Sequence, residues 1–517
     1  MNARTTKTDV IIIGAGPTGL SLACQLIRYG VSFVIIDIKE GTTPHSKAIG
    51  VQARTLEIYE QIELADELVQ LGQKAGKARM VVGGQVRGEA DFGEIGTGMS
   101  PYPFVLIVEQ GKHEALVYGF IKRKGQDIRW QTELQSFSQN EAGVTAVIKT
   151  TAGETETIEA KYLVGADGAK SQVRHGLGLT FEGSTFERMF YVADVEIAWE
   201  FKNDALMVFL MRDNLLAFFP MVGENRWRIV GTFPAEFAKD EGDVLYDEIE
   251  EQIKKDTEVE LDITSVNWFS TYKVHTRHVN KFSEGRCFLA GDSAHIHTPA
   301  GGQGMNTGIQ DGYNLAWRLA MVLRGAANEK ILDSYNDERL ANADVLLKTT
   351  DRFFNLVASP EPMLTYLRMH VFPYIAGVAF SIDAVKKFLF PRISQIGINY
   401  RSSALSDHSS DGAFGVKAGD RMPYFLVDGS SVYDLIREPK FHLLMFSDGK
   451  SSASDESLSD GLEAIVDRHR IPIYPNIAEI FGTDMSFNVL LRPDNYIATL
   501  SEGSSIAPIQ NYLTRCL

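Results

Sequence analysis

Cysteine is scarce in this chain, and its cysteines stand far apart. Cys24, Cys287 and Cys516 include no CxxC and no cluster at metal-ligand spacing, which argues against a disulfide framework, a structural zinc or any other metal site, and fits a reducing, cytoplasmic setting. Long apolar runs are missing too, and no stretch approaches the ~20 unbroken apolar residues of a membrane span. The nearest candidate, Val371 to Ile382, is short and contains Pro373 and Gly377. It reads as a packed helix, with a mobile cover over an apolar pocket as the rival reading. Met1 to Asp9 is polar and leads into an apolar run too short for a signal peptide, with no small-residue cleavage site. Positive charge is in deficit: 51 Lys and Arg face 67 Asp and Glu, and the formal charge of −16 argues against a nucleic-acid or anionic-membrane partner. No internal repeat of roughly 20–50 residues is visible. What remains is 44% apolar and 23% charged, the balance of an ordinary globular protein. The length suggests about three domains.

The first ordered pattern is a βαβ unit. Asp9 to Ile13 is β-branched, Gly14-Ala15-Gly16-Pro17-Thr18-Gly19 follows, Leu20 to Arg28 is helical, Gly30 closes the helix, and Val31 to Ile36 is a second strand ending in Asp37. In this GxGxxG turn Gly14 permits the tight bend, Gly16 lets the backbone approach a pyrophosphate, and Gly19 allows close helix–strand packing. Asp37, eighteen residues after Gly19, sits where a carboxylate accepts from a ribose hydroxyl. Lys47 and Arg54 come next, either to neutralise a pyrophosphate or as solvated charge. Gln110 opens a helix over Lys112 to Arg123 and either caps it or hydrogen-bonds a cofactor.

Met80 to Leu106 suggests short strands, and Ile128 to Ile158 alternating strands around a turn at Asn140 to Gly143. Tyr162 to Gly165 is an apolar strand running into Asp167-Gly168, with Ser171 and Arg174 behind. Asp167 either caps the next helix or holds a loop against a dinucleotide. Residues 180 to 270 change character: Phe186 to Ile197, Leu206 to Met211, Leu215 to Met221, Arg226 to Phe233 and Trp268 to Val274 read as an antiparallel sheet, with a charged helix from Asp240 to Thr257. Such an inserted sheet is a natural second wall for a pocket. Phe209, Phe218 and Phe219 are its candidate aromatic lining.

Cys287 to Ala290 then forms a short buried strand, Gly291-Asp292 begins a glycine-rich turn, and Thr307 to Leu323 is helical. A loop of this kind brings backbone N–H groups and one carboxylate to a ligand. A flavin, with ribityl hydroxyls that need an acceptor and a ring that gains from amide donors, meets both demands. His295 and His297 read better as loop-orienting residues than as catalysts, and the same holds for His275 and His278. Ser402 to Gly412 reads as a linker. The tail beyond Gly419 shows strands at Phe441 to Phe446 and Phe487 to Leu491 and helices at Leu458 to Arg468 and Pro508 to Leu513.

Together Gly14-x-Gly16-x-x-Gly19, Asp167-Gly168 with Ser171 and Arg174, and Gly291-Asp292 with the Pro299 to Asn306 loop resemble the class A flavin-dependent aromatic monooxygenases, the p-hydroxybenzoate hydroxylase-like family. The tail, with Leu491-Arg492-Pro493-Asp494, resembles the thioredoxin-like domain of the phenol and polyketide hydroxylase branch. The resemblance implies an α/β fold: a Rossmann-like FAD-binding domain of the GR2 type in two parts (1–180 and 273–400), an inserted antiparallel-sheet substrate domain (181–272, joined by 80–106), a linker (401–418) and a thioredoxin-like domain (419–517). It implies FAD held by Gly14, Ala15, Gly16, Pro17, Thr18, Gly19 and Asp37. Lys47, Arg54, Gln110, Asp167 and Asp292 would assist, and Pro299, Gly302, Gly304, Met305 and Asn306 would face the isoalloxazine ring. Pro299 would also border the substrate. Two departures stand out: family members often carry arginine at Lys47 and glutamate at Asp37. The implied chemistry is hydroxylation of a phenolic or polycyclic aromatic by a flavin C4a-hydroperoxide. NADH or NADPH is a transient reductant, O₂ the oxidant, and the protein a monomer or homodimer. No catalytic side chain is identified, and no second nucleotide motif would serve the reductant. The rival functions are a flavin protein that sequesters an intermediate, and an FAD oxidoreductase that does not hydroxylate rings. The tail lacks the paired cysteines of a thiol oxidoreductase.

Overall fold

The computed structural model describes residues 5–44, 48–212, 214–233, 244–298, 302–358, 361–450, 457–459 and 461–517, with the backbone alone at 187, 188, 215 and 350–358. Its first sheet is assembled from chain segments far apart in sequence. The order is Ser283–Glu284, Cys287–Leu289, Tyr162–Gly165, Val10–Ile13, Phe33–Ile36 and Ile128–Arg129. From Cys287–Leu289 to Ile128–Arg129 every pairing is parallel. Parallel strands covered on both faces need side chains that are apolar throughout, and Val10 to Ile12 and Cys287 to Leu289 are each within 1% of complete burial. Gly165 lies opposite both Ile13 and Leu289. The three loops leaving these strands therefore emerge side by side at the carboxyl edge, where open α/β sheets bind ligands.

Two of the helices that follow these loops pack closely together. Pro17–Arg28 packs along Gly304–Leu323 at a separation only glycine permits. A Cβ at Gly308 would stand 2.3 Å from Thr18 Oγ1, and one at Gly312 would stand 3.1 Å from Leu22 Cβ.

The second large sheet runs His295–Ile296, Asp262–Val279, Phe181–Ala198, Arg226–Thr232, Leu215–Pro220, Leu206–Leu210, Lys77–Val82 and Gln85–Asp91. Tyr246–Thr257 supplies the helix expected from Asp240, whose residues 240–243 lie outside the description. Ile249 and Ile253 of that helix share a core with Val195, Ile197, Trp227 and Ile229 on one face of the sheet. A four-stranded sheet of Thr5–Lys7, Thr155–Ala160, Gly143–Lys149 and Glu133–Asn140 flanks the parallel one.

Phe372–Ser381 is helical and docks by one face on Gln85–Asp91. A Cβ at Gly88 would lie 1.8 Å from Pro373 O, and one at Gly377 would lie 2.6 Å from Glu89 O. The outer face leaves Phe372, Tyr374, Ile375 and Val378 exposed. Among the described residues no helix is long and apolar enough to cross a membrane.

The tail builds a sheet in the order Val466–Pro472, Phe441–Ser447, Phe487–Leu491 and Ile497–Glu502, with helices Pro475–Phe481 and Ala507–Cys516. The helix expected over Leu458 to Arg468 does not form. Residues 461–465 are turns, and Val466–Pro472 pairs in parallel with Phe441–Ser447. Cross-strand pairing here outweighs helix propensity. Ser402 to Gly412, which reads as a linker, is instead pinned. The Asp407 N–H donates to Ala498 O at 2.9 Å, Ser403 Oγ donates to Glu338 Oε1 at 2.6 Å, and Asp411 accepts from the Ala418 N–H at 3.1 Å.

Candidate active site

The glycine loop after Val10–Ile13 is shaped by contacts a side chain would block. Gly14 has φ +103°, and a Cβ there would lie 2.2 Å from Ala166 O. The Asp167 loop is thus pressed onto the GxGxxG turn. Gly16 differs: no atom lies within 4 Å of its would-be Cβ. It opens onto the N-terminus of Pro17–Arg28, where no side-chain cap is present. Uncapped N–H groups at a helix start favour an anion. Asp37 Oδ2 accepts from the Ala15 N–H at 2.6 Å and Oδ1 from the Lys39 N–H at 2.8 Å. The carboxylate stiffens the loop and retains lone pairs for hydroxyl donors.

Asp167 sits on the neighbouring strand end. Ser171 Oγ donates to its Oδ1 at 2.5 Å and the Val173 N–H to its Oδ2 at 3.2 Å. Burial raises its pKa against these hydrogen bonds, which lower it. Arg174 donates to Ser293 O at 3.0 Å and Ala169 O at 2.7 Å. The Asp167 loop is thereby tied to the Gly291–Ser293 turn. Gly291 (φ +64°) donates its N–H to Asp311 Oδ2 at 2.7 Å, and a Cβ there would stand 2.4 Å from Thr18 Oγ1. Asp292, next to it, is exposed.

Asp311 is the hub that sequence reasoning missed. It is wholly buried, and it binds Gly291 N–H, His295 Nε2 at 2.8 Å and Arg339 Nε at 2.5 Å. Burial raises its pKa, but Arg339 and His295 outweigh that and hold it below the usual range. The signal available in the sequence was a lone acid inside the apolar Thr307 to Leu323 run. His295 therefore orients the loop. His297 accompanies it: Nδ1 lies 2.7 Å from Thr298 O, and burial lowers its pKa to about 4.

Pro299 and Lys47 lie outside the described residues. The adjoining loop is latched by Asn306. Its Oδ1 accepts from Gln52 N–H at 2.9 Å and Thr55 Oγ1 at 2.7 Å, and its Nδ2 donates to Gly50 O at 2.9 Å and Gly302 O at 2.8 Å. The Asn306 side chain is fully engaged by protein, so what this stretch offers a ligand is backbone. Gly304, Met305 and Asn306 form the first turn of a 20-residue helix without side-chain cap or acidic residue. Gln110 holds the facing loop, accepting from the Ala48 N–H at 3.1 Å and donating to Glu114 at 2.8 Å.

Arg54 is a correction. It is 1% exposed and donates to Glu57 Oε2 at 3.0 Å and Asp494 O at 2.9 Å, with Tyr313 and Tyr496 against its guanidinium. Its charge is paired inside the protein with Glu57.

The substrate sheet also needs correcting at two of its three phenylalanines. Adjacent strand residues point to opposite faces. Phe218 and Phe209 belong to the core beneath Tyr246–Thr257, where their rings lie 5.2 Å apart and Trp199 covers both. Phe219 lies on the other face, in register with Arg228. That face looks toward the nucleotide-type sheet, because Arg226 donates to Glu109 at 3.0 Å and Arg228 to Ala48 O at 3.3 Å. Arg228 is itself held by Asp194 at 2.6 and 2.7 Å, and Phe190 stacks on Tyr272 of the same face, 5.8 Å apart. The Arg228–Asp194 pair spans two strands, so no local pattern announces it.

These residues fit a flavin dinucleotide: an open glycine at an uncapped helix N-terminus, an acid beside it, a second uncapped helix start, and an aromatic sheet face opposite. The FAD binding domain family matches residues 7–350. A flavin-dependent monooxygenase of Mycobacteroides abscessus is 31% identical over 98% of this chain and 99% of its own length. The 6-methylpretetramide 4-monooxygenase of Streptomyces rimosus is 31% identical over 96% of this chain and 91% of its own. The crystal structure of aklavinone-11 hydroxylase with FAD and aklavinone superposes with a TM-score of 0.81 at 25% identity, covering 100% of this chain and 99% of that one.

Proposed function

Since the chain belongs to the class A flavin-dependent aromatic monooxygenases and is an FAD-dependent monooxygenase, we propose that it hydroxylates a phenolic or polycyclic aromatic substrate bound between the FAD edge and the Phe219 face of the inserted sheet. The observation that carries this reading is the meeting of three loops, at Gly14, Asp167 and Gly291, at the carboxyl edge of the parallel sheet. NADH or NADPH supplies the electrons and O₂ the transferred oxygen. FAD supplies the redox chemistry when bound.

The chain's own residues bind, orient and exclude water. The Pro17–Arg28 helix N-terminus receives the pyrophosphate, Asp37 the adenosine ribose and Asp292 the ribityl hydroxyls. The N–H groups at the start of Gly304–Leu323 stabilise negative charge on the pyrimidine edge of the ring. Asp311 and Asn306 keep those donors aimed by fixing Gly291 and Gly302.

The proposal extends to the domains. Residues 1–180 and 273–400 form the FAD-binding part and 181–272 the substrate sheet. Residues 419–517 form a thioredoxin-like tail, a reading supported by its central strand, parallel to one neighbour and antiparallel to the other. With Cys516 as its lone cysteine the tail has no dithiol, which supports a scaffolding role. A cytoplasmic monomer or homodimer completes the proposal.

The test is a panel of simple phenols, halogenated phenols and polycyclic phenols, scored by stimulated flavin reduction under NADH and NADPH and by product mass. A substrate of the right class accelerates reduction and gains one oxygen atom. Binding without acceleration, or acceleration without an oxygenated product, would overturn the hydroxylase reading in favour of a sequestering or oxidising flavoprotein.

A further inference from the structure

Away from the flavin edge, two histidines and an acid converge on the tail sheet. Strands Phe441–Ser447 and Val466–Pro472 run in parallel with His442 opposite Asp467 and Leu444 opposite His469. Alternation puts Asp467 and His469 on one face, beside His442. One ligand atom from each of the three lies within 4.8 Å of the others. We propose that His442, Asp467 and His469 bind a divalent transition-metal cation of the zinc class.

The geometry suits such an ion. His442 Nδ1 and His469 Nε2 are 3.2 Å apart. Two nitrogens at ~2.0–2.1 Å from a tetrahedral centre stand about 3.3–3.4 Å from each other. His442 Nε2 lies 3.0 Å from Glu438 O, an acceptor, so Nε2 carries the hydrogen and Nδ1 presents its lone pair toward His469. A backbone carbonyl that fixes the tautomer in this way is the usual outer partner of a ligating imidazole. Two imidazoles and one carboxylate favour zinc, cobalt or nickel over magnesium or calcium.

Two features oppose binding. Lys440 Nζ lies 3.3 Å from Asp467 Oδ1 and competes for the carboxylate. Without metal, His469 Nε2–H donates to His442 Nδ1 and satisfies the pair unaided. A bound ion would clamp two strands beside the seam where Phe441 meets Trp317 edge-on, ring centroids 6.0 Å apart. The ligands are brought together by strand pairing, which is why no sequence motif marks them.

The test uses the full-length, FAD-loaded protein stripped with chelator and titrated calorimetrically with Zn²⁺, with Mg²⁺ as control. The site requires one Zn²⁺ per chain, at least tenfold weaker binding in His469→Gln and in Asp467→Asn, and tighter binding in Lys440→Met. Unchanged FAD content in the variants verifies their fold. No stoichiometric zinc in the wild type, or undiminished zinc in the folded His469→Gln and Asp467→Asn variants, would overturn the proposal.

Discussion

Arg492 and Glu338, 154 residues apart in the chain, form a two-pronged ion pair, Nη1 to Oε1 at 2.6 Å and Nη2 to Oε2 at 3.1 Å. Arg318 donates to the same Glu338 at 2.7 Å. Asp494 accepts from Arg492 at 2.6 and 2.9 Å and from Trp317 Nε1 at 3.1 Å. The Leu491-Arg492-Pro493-Asp494 run thus plugs the tail into helices of the FAD-binding part. Every one of these charged groups is buried.

Arg492→Ala takes one cation from this buried cluster, leaving Glu338 with Arg318 and Ser403 and Asp494 with Trp317. Removing one member of a buried ion pair costs about 3–5 kcal/mol. Thermal unfolding of the FAD-loaded variant is expected several degrees below wild type. An unchanged midpoint would show that the tail contributes nothing to the stability of the whole.

Asp292→Ala would remove the carboxylate that the proposed function assigns to the ribityl hydroxyls. A charged hydrogen bond is worth roughly 1.5–3 kcal/mol, so FAD dissociation should rise about tenfold or more. The readout is fluorescence of released flavin on dilution. A variant that purifies fully yellow with wild-type affinity refutes the ribityl role.

Phe219 and Phe218 are neighbours on opposite faces of the sheet. Phe219→Ala is expected to weaken substrate binding while leaving stability nearly intact. Phe218→Ala should cost about 3–5 kcal/mol of stability by opening a cavity under Tyr246–Thr257, with little effect on substrate affinity in the folded fraction. Urea unfolding and substrate-induced flavin spectra separate the two. If the effects were exchanged, the assignment of sheet faces would be reversed.

Acid should destabilise the protein through buried histidines. Burial lowers His113, His297 and His442 each from 6.5 to about 4, with His295 adding to the shift at His297. Between those values the unfolded chain binds more protons than the folded one, so stability is complete above about pH 6.5 and falls as the pH drops toward 4. Each contributes a loss of roughly 1–2 kcal/mol by pH 5. The carboxyls of Asp311 and Glu338 are held low and stay ionised across this window. The urea midpoint at pH 7.5, 6 and 5 checks the slope, and a flat profile would contradict it.

The glycine turns are legible because their physics is local. A tight turn needs glycine at a particular step, and a helix start needs uncapped donors, so the Gly14 loop is visible within a few residues. The same holds for Gly291, whose φ of +64° and contact with Thr18 leave no space for a side chain. Where local preference met long-range pairing, the reading failed: the Leu458 to Arg468 stretch is drawn into turns and a strand by its parallel neighbour.

Sequence by itself determined the βαβ unit, the glycine turns, the inserted run of strands and the family likeness, since each rests on residue type at fixed short spacing. Only the tertiary structure decided which way side chains face and whom they meet. It turned Arg54 inward to Glu57 and Asp494, set Phe218 and Phe219 on opposite sides of a sheet, and made Asp311 the anchor of the Gly291 turn. Those outcomes depend on charges and faces brought together across tens to hundreds of residues, and burial makes each pairing obligatory once the chain has closed around it.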